Sequence, residues 1–401
     1  MSIRSKIGIT IILSLSIVLL IGWSSAASQG QKPTWKGKIV TETGFLSALR
    51  AAEKLPTVVL QESLRIAEQP GAFFFVSPEP PQVDELGFIW VADQDQLLLF
   101  SPPGNFIRNF FKKGQGPGEM TDMSGFIPER DRVLVFNRYP HKMIAFDRGG
   151  HFLQETAISP MLGHANLLGS WRGRFYFFRE YFQSTGGKAV FLDIPVRLLS
   201  AALGETEARV EGPWFPKRHF VRDTSWIKNV YYEQIARADE TTFFIAYNGN
   251  YDIHRLRLDR MEISPFINRK YSKVKIKTKW KTPWDQFRAP SQTLTGSEVK
   301  TFEHELLDDV LKIWVLGEKI WVLTSTFNEA NRLVRIDLYD LKKATFLGSL
   351  MLPLPRGLEW MRLSYAPMTL HDSGFYVLAP TETDALELVR YSLSGLPGWA
   401  R

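Results

Sequence analysis

The sequence predicts an all-β protein in which a four-stranded antiparallel sheet is repeated around a closed ring. Short apolar runs separated by turn residues are the first observation, and the clearest lie at residues 88–93, 97–100 and 106–111. Runs of this length bounded by Pro, Gly, Asp and Asn are typical of an antiparallel meander. One meander cannot bury both faces of its own sheet, so the pattern requires repeats.

A repeat is visible at a nearly constant offset. Residues 104–107 (Gly-Asn-Phe-Ile) recur 46 residues later as residues 150–153 (Gly-His-Phe-Leu). Residues 89–91 recur 44 residues later as residues 133–135, which indicates two additional loop residues near Tyr139 in the second unit. A fixed period with a small difference in loop length is typical of a repeat array.

Later segments bring the number of predicted units to six. Each has four apolar residues that end at a turn: residues 175–178, 243–246, 320–323 and 375–378. Most are followed by a second, alternating run, for example at residues 332–337 and 387–391. Continuous apolar runs indicate strands that are buried on both faces, as the inner strands of stacked sheets are.

The segments outside the repeat also have predicted roles. Residues 28–56 are mostly polar at their start and are predicted to be an N-terminal linker. The strand material at residues 57–67 is predicted to join the last unit and so close the ring. Two regions exceed the period and are predicted to contain long inserts, near residues 194–239 and 258–309.

Three features are predicted in and after the second insert. Five Lys alternate along residues 273–281 and are predicted to protect a sheet edge, with docking of an anionic polymer or membrane surface as the alternative. Residues 301–311 are predicted to be helical. Gly317 and Glu318 are predicted to form the turn of a hairpin.

The N-terminus predicts export. Arg4 and Lys6 precede an uncharged apolar run at residues 7–23, and small residues follow up to Ala27. This order is typical of a secretory signal peptide at residues 1–27, which would place the mature protein in the periplasm, in the cell envelope or outside the cell. The alternative is an uncleaved anchor, because 17 apolar residues approach the length that spans a bilayer, and it would keep the protein near the membrane.

Composition narrows the function classes. The chain contains no Cys, which excludes disulfides, thiolate zinc sites and Cys nucleophiles. The net charge of +7 includes Arg4 and Lys6, so the predicted mature chain carries +5, a modest excess that gives little support for an anionic partner. Export also conflicts with nucleic-acid binding, so we predict no nucleic-acid partner, and we expect a monomer.

A family resemblance supports this architecture. Residues 88–93, Phe100, Gly104, Phe106 and above all residues 114–119 (Gly-Gln-Gly-Pro-Gly-Glu) resemble the exported bacterial six-bladed β-propeller proteins related to NHL repeats. The resemblance implies an all-β, six-bladed β-propeller of four-stranded antiparallel blades over residues 57–401. It implies no single reaction, because propellers include binding proteins and enzymes.

The sequence departs from this pattern at one position of the unit, and units three to six lack the glycine loop. NHL units usually have an Arg ahead of the second strand, where this sequence has Gln96 in the first unit and Lys142 in the second. The glycine loop itself suggests a phosphate cradle, but it lacks the Gly-Lys-Ser/Thr ending and Pro117 removes one amide donor. We therefore predict that its glycines guide the chain from one blade to the next.

Catalytic motifs are not evident in the sequence. The seven His show no pair at metal-ligand spacing, residues 304–308 lack the second His of a zinc-protease helix, and no Gly-x-Ser-x-Gly elbow occurs. The catalytic residues therefore stay unknown, and no metal ligand is assigned from spacing. Convergence of residues from several blades in the central channel is not visible in one sequence.

One set of positions predicts a ligand site. Residues directly after the four-residue apolar runs would lie around one mouth of the channel, and the polar or hydrogen-bonding members are Asp93, Asn137, Arg179, Tyr247 and Thr324, with Ala379 in the sixth unit. The alternative is that they cap turns, as Asp and Asn often do.

The predicted function is an exported binding or scaffolding module for a protein, peptide or glycan. The alternative is a metal-dependent propeller enzyme, similar to lactonases or lyases, with its site in the channel. No cofactor is evident for the binding module, whereas the enzyme would require a divalent cation such as calcium. Asp93 and Asn137 are the first ligands to test for that cation.

Overall fold

The computed structural model describes most of the chain after residue 53. The described residues are 54–162, 165–180, 190–202, 204–205, 207–223, 226–229, 234–246, 250–269, 286–288, 301–303, 309–328, 330–356, 358, 363, 366–382 and 385–400. The predicted signal peptide and linker, the Lys-rich segment 273–281 and residues 304–308 therefore lie outside the described residues, except for the end of the linker. No helix in the described ranges is long and apolar enough to cross a membrane.

The protein is an all-β, six-bladed β-propeller. Strand β1 (Val59–Ile66) comes before the first complete blade. Blade 1 contains β2 (Gln82–Val83), β3 (Ile89–Asp93), β4 (Gln96–Phe100) and β5 (Phe106–Asn109). Blade 2 contains β6 (Met123–Pro128), β7 (Arg132–Asn137), β8 (Lys142–Asp147) and β9 (Phe152–Ala157). Blade 3 contains β10 (Asn166–Trp171), β11 (Arg174–Glu180), β12 (Val190–Ala202), β13 (Arg209–Asp223) and a fifth strand, β14 (Trp226–Asn229).

The second half of the ring follows the same plan. Blade 4 contains β15 (Gln234–Arg237), β16 (Thr242–Ala246), β17 (Asp252–Arg257) and β18 (Glu262–Asn268). A separate pair, β19 (Gln286–Arg288) and β20 (Thr301–Glu303), follows in the chain. Blade 5 contains β21 (Val310–Leu316), β22 (Lys319–Asn328), β23 (Leu333–Asp340) and β24 (Phe346–Pro353). Blade 6 contains β25 (Met368–His371), β26 (Gly374–Pro380) and β27 (Leu386–Ser394), with β1 as its fourth strand.

The predicted apolar runs form strands, and each is the second strand of its blade, so Gln96 and Lys142 begin the third strand rather than precede the second. The four runs in units three to six lie in β11, β16, β22 and β26. Two residues separate β3 from β4, and four separate β7 from β8, which confirms the two additional loop residues in the second unit. The hairpin turn at Gly317 and Glu318 is also confirmed, because Leu316 pairs with Lys319.

Adjacent blades share a hydrophobic cluster, and this explains the continuous apolar runs. In β3, Trp90 and Ala92 belong to the cluster between blades 1 and 2. Ile89 and Val91 belong to the cluster between blades 6 and 1. Successive side chains point to opposite faces of a strand, so every residue of a central strand in a stacked blade is buried.

The N-terminal strand closes the ring, which confirms the prediction for residues 57–67. β1 pairs with β27 in antiparallel register, from Val59 opposite Ser394 to Ile66 opposite Leu388. Just before β1, the N–H of Val58 donates to the carbonyl of Met351 in blade 5 at 2.9 Å. The N-terminal segment is therefore hydrogen-bonded to two blades, to blade 6 through β1 and to blade 5 through Val58.

The structure also bears on two other predictions. The helix predicted at residues 301–311 is wrong in its described part, because Thr301–Glu303 and the residues from Val310 onward form strands. The β-branched and aromatic residues after position 309 pair with β22, and this pairing overrides helix propensity. The region 194–239, whose additional length the sequence leaves open between loops, small helices and extra strands, contains the regular strands β12, β13 and β15 together with the extra strand β14.

Strand direction defines two faces of the ring. The strands of each blade alternate in direction. The start of the first strand, the end of the second strand and the start of the third strand therefore all lie on the same face of the ring. We call this face the top face. Asp93 and Asn137, at the ends of β3 and β7, therefore lie at the top face of blades 1 and 2.

Candidate binding site on the top face

Asp93 fastens the chain segment that leads into blade 1. Its buried carboxylate accepts a hydrogen bond from the N–H of Val76 at 2.6 Å and from the N–H of Ser77 at 2.8 Å. Burial raises the pKa of Asp93, and the two amide hydrogen bonds oppose that shift. The carboxylate thus accepts hydrogen bonds from two main-chain N–H groups that lie outside the strands and have no partner in the sheet.

Asn137 has the same role one blade later. Its Oδ1 accepts the N–H groups of Thr121 at 2.9 Å and Asp122 at 3.1 Å, and its Nδ2 donates to the carbonyl of Pro140 at 2.7 Å. The side chain is completely buried. This geometry supports the turn-capping alternative for Asp93 and Asn137.

The first residue of the third strand completes the attachment. Gln96 exchanges two hydrogen bonds with the main chain of Phe74, at 3.4 and 2.7 Å. In blade 2 the buried Lys142 donates to the carbonyl of Gly116 and to Glu155, both at 2.9 Å. Gln96 and Lys142, which stand where NHL units usually have Arg, therefore bind equivalent segments: each binds the segment that leads into the first strand of its own blade.

The glycine loop between blades 1 and 2 is held by carboxylates. Glu119 accepts the N–H of Gly116, and Glu155 accepts the N–H of Gly118, both at 3.0 Å. Gly118 has a φ of +71°, and a Cβ there would lie 3.0 Å from Phe152. Because these amide donors are already used, the loop favours the predicted structural role over a phosphate cradle.

The other predicted site residues lie in different settings. Arg179 is half-buried at the next-to-last position of β11, opposite Arg197. Thr324 is buried within β22, where its Oγ1 donates to the carbonyl of Arg335 at 3.1 Å. Ala379 is buried in β26. Tyr247 lies outside the described residues.

The predicted calcium ligands have a poor geometry for a cation. The carboxylate oxygens of Asp93 and the Oδ1 of Asn137 face amide hydrogens, and a cation would have to displace these donors. Amide hydrogens that point at an oxygen carry partial positive charge, which disfavours a cation on the same oxygen. In the described part of the chain, no three or more His, Asp and Glu side chains form a group that could hold a metal ion.

A charged group lies at the boundary of blades 1 and 2. Arg138 follows Asn137 directly, and its guanidinium lies 3.6 Å from the carboxylate of Asp122. Glu79 lies close enough to Arg138 for the positive charge to influence it. The Glu79 side chain is accessible to solvent, yet desolvation by surrounding protein raises its pKa and outweighs the influence of Arg138.

Exposed apolar side chains belong to the same two connections. Phe74 and Val76 are each 53% exposed, whereas Phe73 and Phe75 beside them are buried in the cluster between blades 6 and 1. Tyr139 is 49% exposed in the turn between β7 and β8, and its ring centroid lies 5.3 Å from that of His141. We call the set Phe74, Val76, Glu79, Arg138 and Tyr139 the top-face patch.

Sequence reasoning missed the top-face patch for two reasons. Residues 72–76 are one continuous apolar run, and the alternation of buried and exposed positions depends on where Gln96 and Asp93 fasten it. Glu79 stands among prolines with no motif around it. The available signal was the position of Arg138 and Tyr139 next to the predicted Asn137.

The comparisons with known proteins agree with the fold. Residues 83–273, a little under half of the chain, match the model of a family, DUF5128, that is described as a six-bladed β-propeller. This match supports the propeller, and the relation to NHL repeats stays a prediction. No curated protein matches the chain in sequence.

Solved structures of similar shape are known. A member of the DUF4221 family from Bacteroides vulgatus has 10% sequence identity and a TM-score of 0.53, with 85% of this chain and 99% of that chain covered. A Bacteroides fragilis protein has 13% identity and a TM-score of 0.49, with coverage of 89% and 99%. Streptogramin B lyase has 11% identity and a TM-score of 0.41, with coverage of 84% and 98%. At these identities the likeness extends to the fold alone.

Proposed function

We propose that the protein is an exported β-propeller that binds a protein or peptide segment at the top-face patch. The observation that carries the proposal is the exposure of Phe74, Val76 and Tyr139 on the face of blades 1 and 2 that also holds Glu79 and Arg138. Exposed apolar side chains grouped with a few polar groups are typical of interaction surfaces.

The polar groups of the patch favour a peptide over a glycan. Glu79 supplies an acceptor and Arg138 supplies donors, which together match the N–H and C=O of one peptide group. The aliphatic side chain of Val76 suits an apolar residue of a ligand better than a sugar ring. Covering one such side chain contributes roughly 1.5–3 kcal/mol, and association costs offset much of the sum, so we expect moderate affinity.

The export part of the proposal rests on the sequence. The basic start, the apolar residues 7–23 and the small residues before position 28 form the pattern of a signal peptide. Mass spectrometry of the protein recovered from an expressing bacterium tests this directly. We expect a mature N-terminus at Ser28, and an intact residue 1 in a membrane fraction would instead support the anchor.

Peptide selection tests the binding proposal. A phage-displayed peptide library is selected on the purified wild-type protein, and the affinities of the recovered peptides are measured by calorimetry. We expect peptides whose affinity falls about tenfold or more in Glu79→Gln and in Tyr139→Ala, because hydrogen bonds to charged groups and buried aromatic side chains each contribute more than about 1 kcal/mol.

The control variants lie on the other face of blade 1. Glu85→Gln and Leu86→Ala change an exposed acid and an exposed apolar residue in the turn between β2 and β3. Peptide affinity should be unchanged in both. Recovery of no peptide, or of peptides that bind every variant equally, would contradict the proposal.

Thermal unfolding distinguishes this function from the metal-dependent enzyme. The melting temperature of the wild-type protein is measured on three samples: the protein as purified, the protein after EDTA treatment, and the treated protein after addition of calcium. A cation bound only to the folded state at about 100 times its dissociation constant would add roughly 2.7 kcal/mol. We expect the three melting temperatures to agree, and a fall that calcium reverses would establish a cation site and favour the enzyme.

A further inference from the structure

A buried carboxylate joins blades 4 and 5 at a distance from the top-face patch. Asp337 on β23 is fully buried, and its Oδ1 accepts hydrogen bonds from Arg335 at 2.7 Å and Ser349 at 2.6 Å. Its Oδ2 accepts hydrogen bonds from the hydroxyl of Tyr251 at 3.0 Å and from Arg269 at 2.8 Å. Tyr251 and Arg269 belong to blade 4, so the carboxylate links the two blades.

The charges of this group do not balance. Arg269 and Arg335 are two cations, and Asp337 is the one carboxylate with which either of them forms an ion pair in the described part of the chain. Arg335 places its second donor on Ser349. Among the residues that the structure describes, the side-chain hydrogen bonds of Arg269 come from Nη1 alone, which donates to Asp337 and to the hydroxyl of Tyr339. The group therefore carries one excess positive charge, with donors left on Arg269.

Arg269 also lines a cleft. The cleft has a volume of about 400 Å³, and Arg269 lines it together with Phe266, Tyr339 and Phe346. The guanidinium carbon of Arg269 lies 4.6 Å from the ring centroid of Phe346, and the Arg269 side chain keeps 34% of its surface exposed. A second guanidinium, that of Arg255, lies 5.1 Å from the ring of Phe266.

We propose that this cleft between blades 4 and 5 binds a carboxylate attached to an aromatic body, with Arg269 on the carboxylate and Phe266 and Phe346 on the ring. The charge requires an anion, because a partly desolvated guanidinium with unused N–H groups is satisfied best by an anionic acceptor. A carboxylate matches the planar fork of Arg in a bidentate arrangement.

The walls and the size of the cleft define the rest of the ligand. Phe266 and Phe346 present aromatic surface, and an aromatic ring packs on such surfaces with additional stabilisation from offset or edge contacts. A volume of about 400 Å³ is near the lower end of small-molecule sites. It accommodates one aromatic amino acid or the C-terminal residue of a peptide. The cleft and the top-face patch share no residue, so this inference does not rest on the proposed peptide function.

Two probes of the same shape test the proposal. N-acetyl-L-phenylalanine carries the carboxylate, and N-acetyl-L-phenylalanine amide has the same body without the charge. Calorimetry with the wild-type protein should show binding of the acid and about tenfold or weaker binding of the amide, because a hydrogen bond to a charged group contributes about 1.5–3 kcal/mol. N-acetyl-L-alanine should also bind more weakly, since it lacks the ring.

Substitutions locate the site. Arg269→Met should reduce the affinity for the acid about tenfold or more and remove the preference for acid over amide. The fold should persist, because Asp337 keeps Arg335 as its ion pair. Phe346→Ala should weaken both probes, because it removes a wall that is already 48% exposed and leaves the charge in place.

Matched controls share the chemistry but not the cleft. Arg260→Gln removes an exposed cation from the same blade, and Leu347→Ala truncates the neighbour of Phe346 on β24. Both should bind the acid as the wild type does. Absence of binding to the wild type, equal binding of acid and amide, or unchanged binding in Arg269→Met would each overturn the proposal. The comparison of the two probes on the wild type decides the question even if Arg269→Met fails to fold.

Discussion

Lys312 is the residue whose burial is hardest to explain by packing alone. It lies on β21, the first strand of blade 5, with 7% of its surface exposed. Desolvation lowers the pKa of Lys312 from 10.5 to about 8. The folded protein therefore releases this proton at a lower pH than the unfolded chain does.

The lowered pKa predicts how stability depends on pH. Between about pH 8 and 10.5 the unfolded chain binds more protons at this site than the folded protein does, so the contribution of Lys312 to stability rises with pH. Over that window the gain is on the order of 3 kcal/mol. Lys312→Met removes the cost of the buried charge. We expect the variant to be more stable than the wild type at neutral pH, and to lose that advantage as the pH approaches 10.5.

Urea unfolding of both proteins at several pH values measures this difference. The comparison isolates Lys312 because the other titrating groups are common to both proteins. Lys343→Met, an exposed substitution in the same blade, should show no such trend. A difference between Lys312→Met and the wild type that stays constant with pH would show that the group does not change protonation on unfolding.

The connection between blades is the element in which side chains act on the main chain. Asp93 and Gln96 fasten residues 74–77, and Asn137 and Lys142 fasten the glycine loop and the residues after it. The pairs occupy the last position of the second strand and the first position of the third strand. The two residues that flank the short turn between the second and third strands thus both form hydrogen bonds to the segment that leads into the first strand of the blade.

Truncation of Asp93 tests the value of these hydrogen bonds. Asp93→Ala leaves the N–H groups of Val76 and Ser77 without their acceptor, and we expect a loss of roughly 1–3 kcal/mol in the free energy of unfolding. Asp93→Asn reproduces the arrangement of Asn137, in which one oxygen accepts two amides, and should cost less. Chemical denaturation of the three proteins gives the comparison. Equal stability of Asp93→Ala and the wild type would mean that water replaces the carboxylate.

The same element shows how far sequence reasoning extends. The period, the second strands and the closing strand follow from hydrophobic pattern and were predictable, because burial on both faces leaves a continuous apolar run at each second strand. Asp93 and Asn137 were also located, but ligand binding and turn capping require the same residue types there. Only the hydrogen bonds to the connecting amides distinguish the two roles.

The top-face patch and the cleft between blades 4 and 5 lie beyond what the pattern contains. Arg269 follows β18 and meets Asp337, which is 68 residues away in sequence, on another blade. The positive charge of Arg138 acts on Glu79 across the boundary of blades 1 and 2. Neither pair has a spacing that recurs, because such contacts depend on how adjacent blades stack. The helix error at residues 301–311 has a different origin, since pairing with β22 within blade 5 decided the structure of its described end.

At the scale of the whole molecule, ring closure couples the two ends of the chain. Val59 pairs with Ser394, and Ile66 belongs to the hydrophobic cluster between blades 6 and 1. Leu64 on the same strand packs against Gly104 in blade 1, where an added Cβ would lie 2.5 Å from the leucine side chain. The interface between blades 6 and 1 gives every blade two neighbours, and we expect the ring to unfold cooperatively for this reason.

This arrangement predicts that damage to the closing strand destabilises the entire ring. Ile66→Ala removes a buried side chain from the interface of blades 6 and 1, and we expect it to lower the free energy of unfolding by roughly 2–4 kcal/mol. Gln61→Ala changes an exposed residue of the same strand and should alter stability by less than about 0.5 kcal/mol. Far-UV circular dichroism measures the loss of β-structure on unfolding. Tryptophan fluorescence reports the exposure of side chains that are buried in the folded protein, such as Trp90 in blade 1 and Trp321 in blade 5. Both signals should shift together in Ile66→Ala, since loss of one interface opens all the others. If instead the fluorescence transition separated from the loss of β-structure, the blades would be unfolding independently and closure by β1 would not be what unites them.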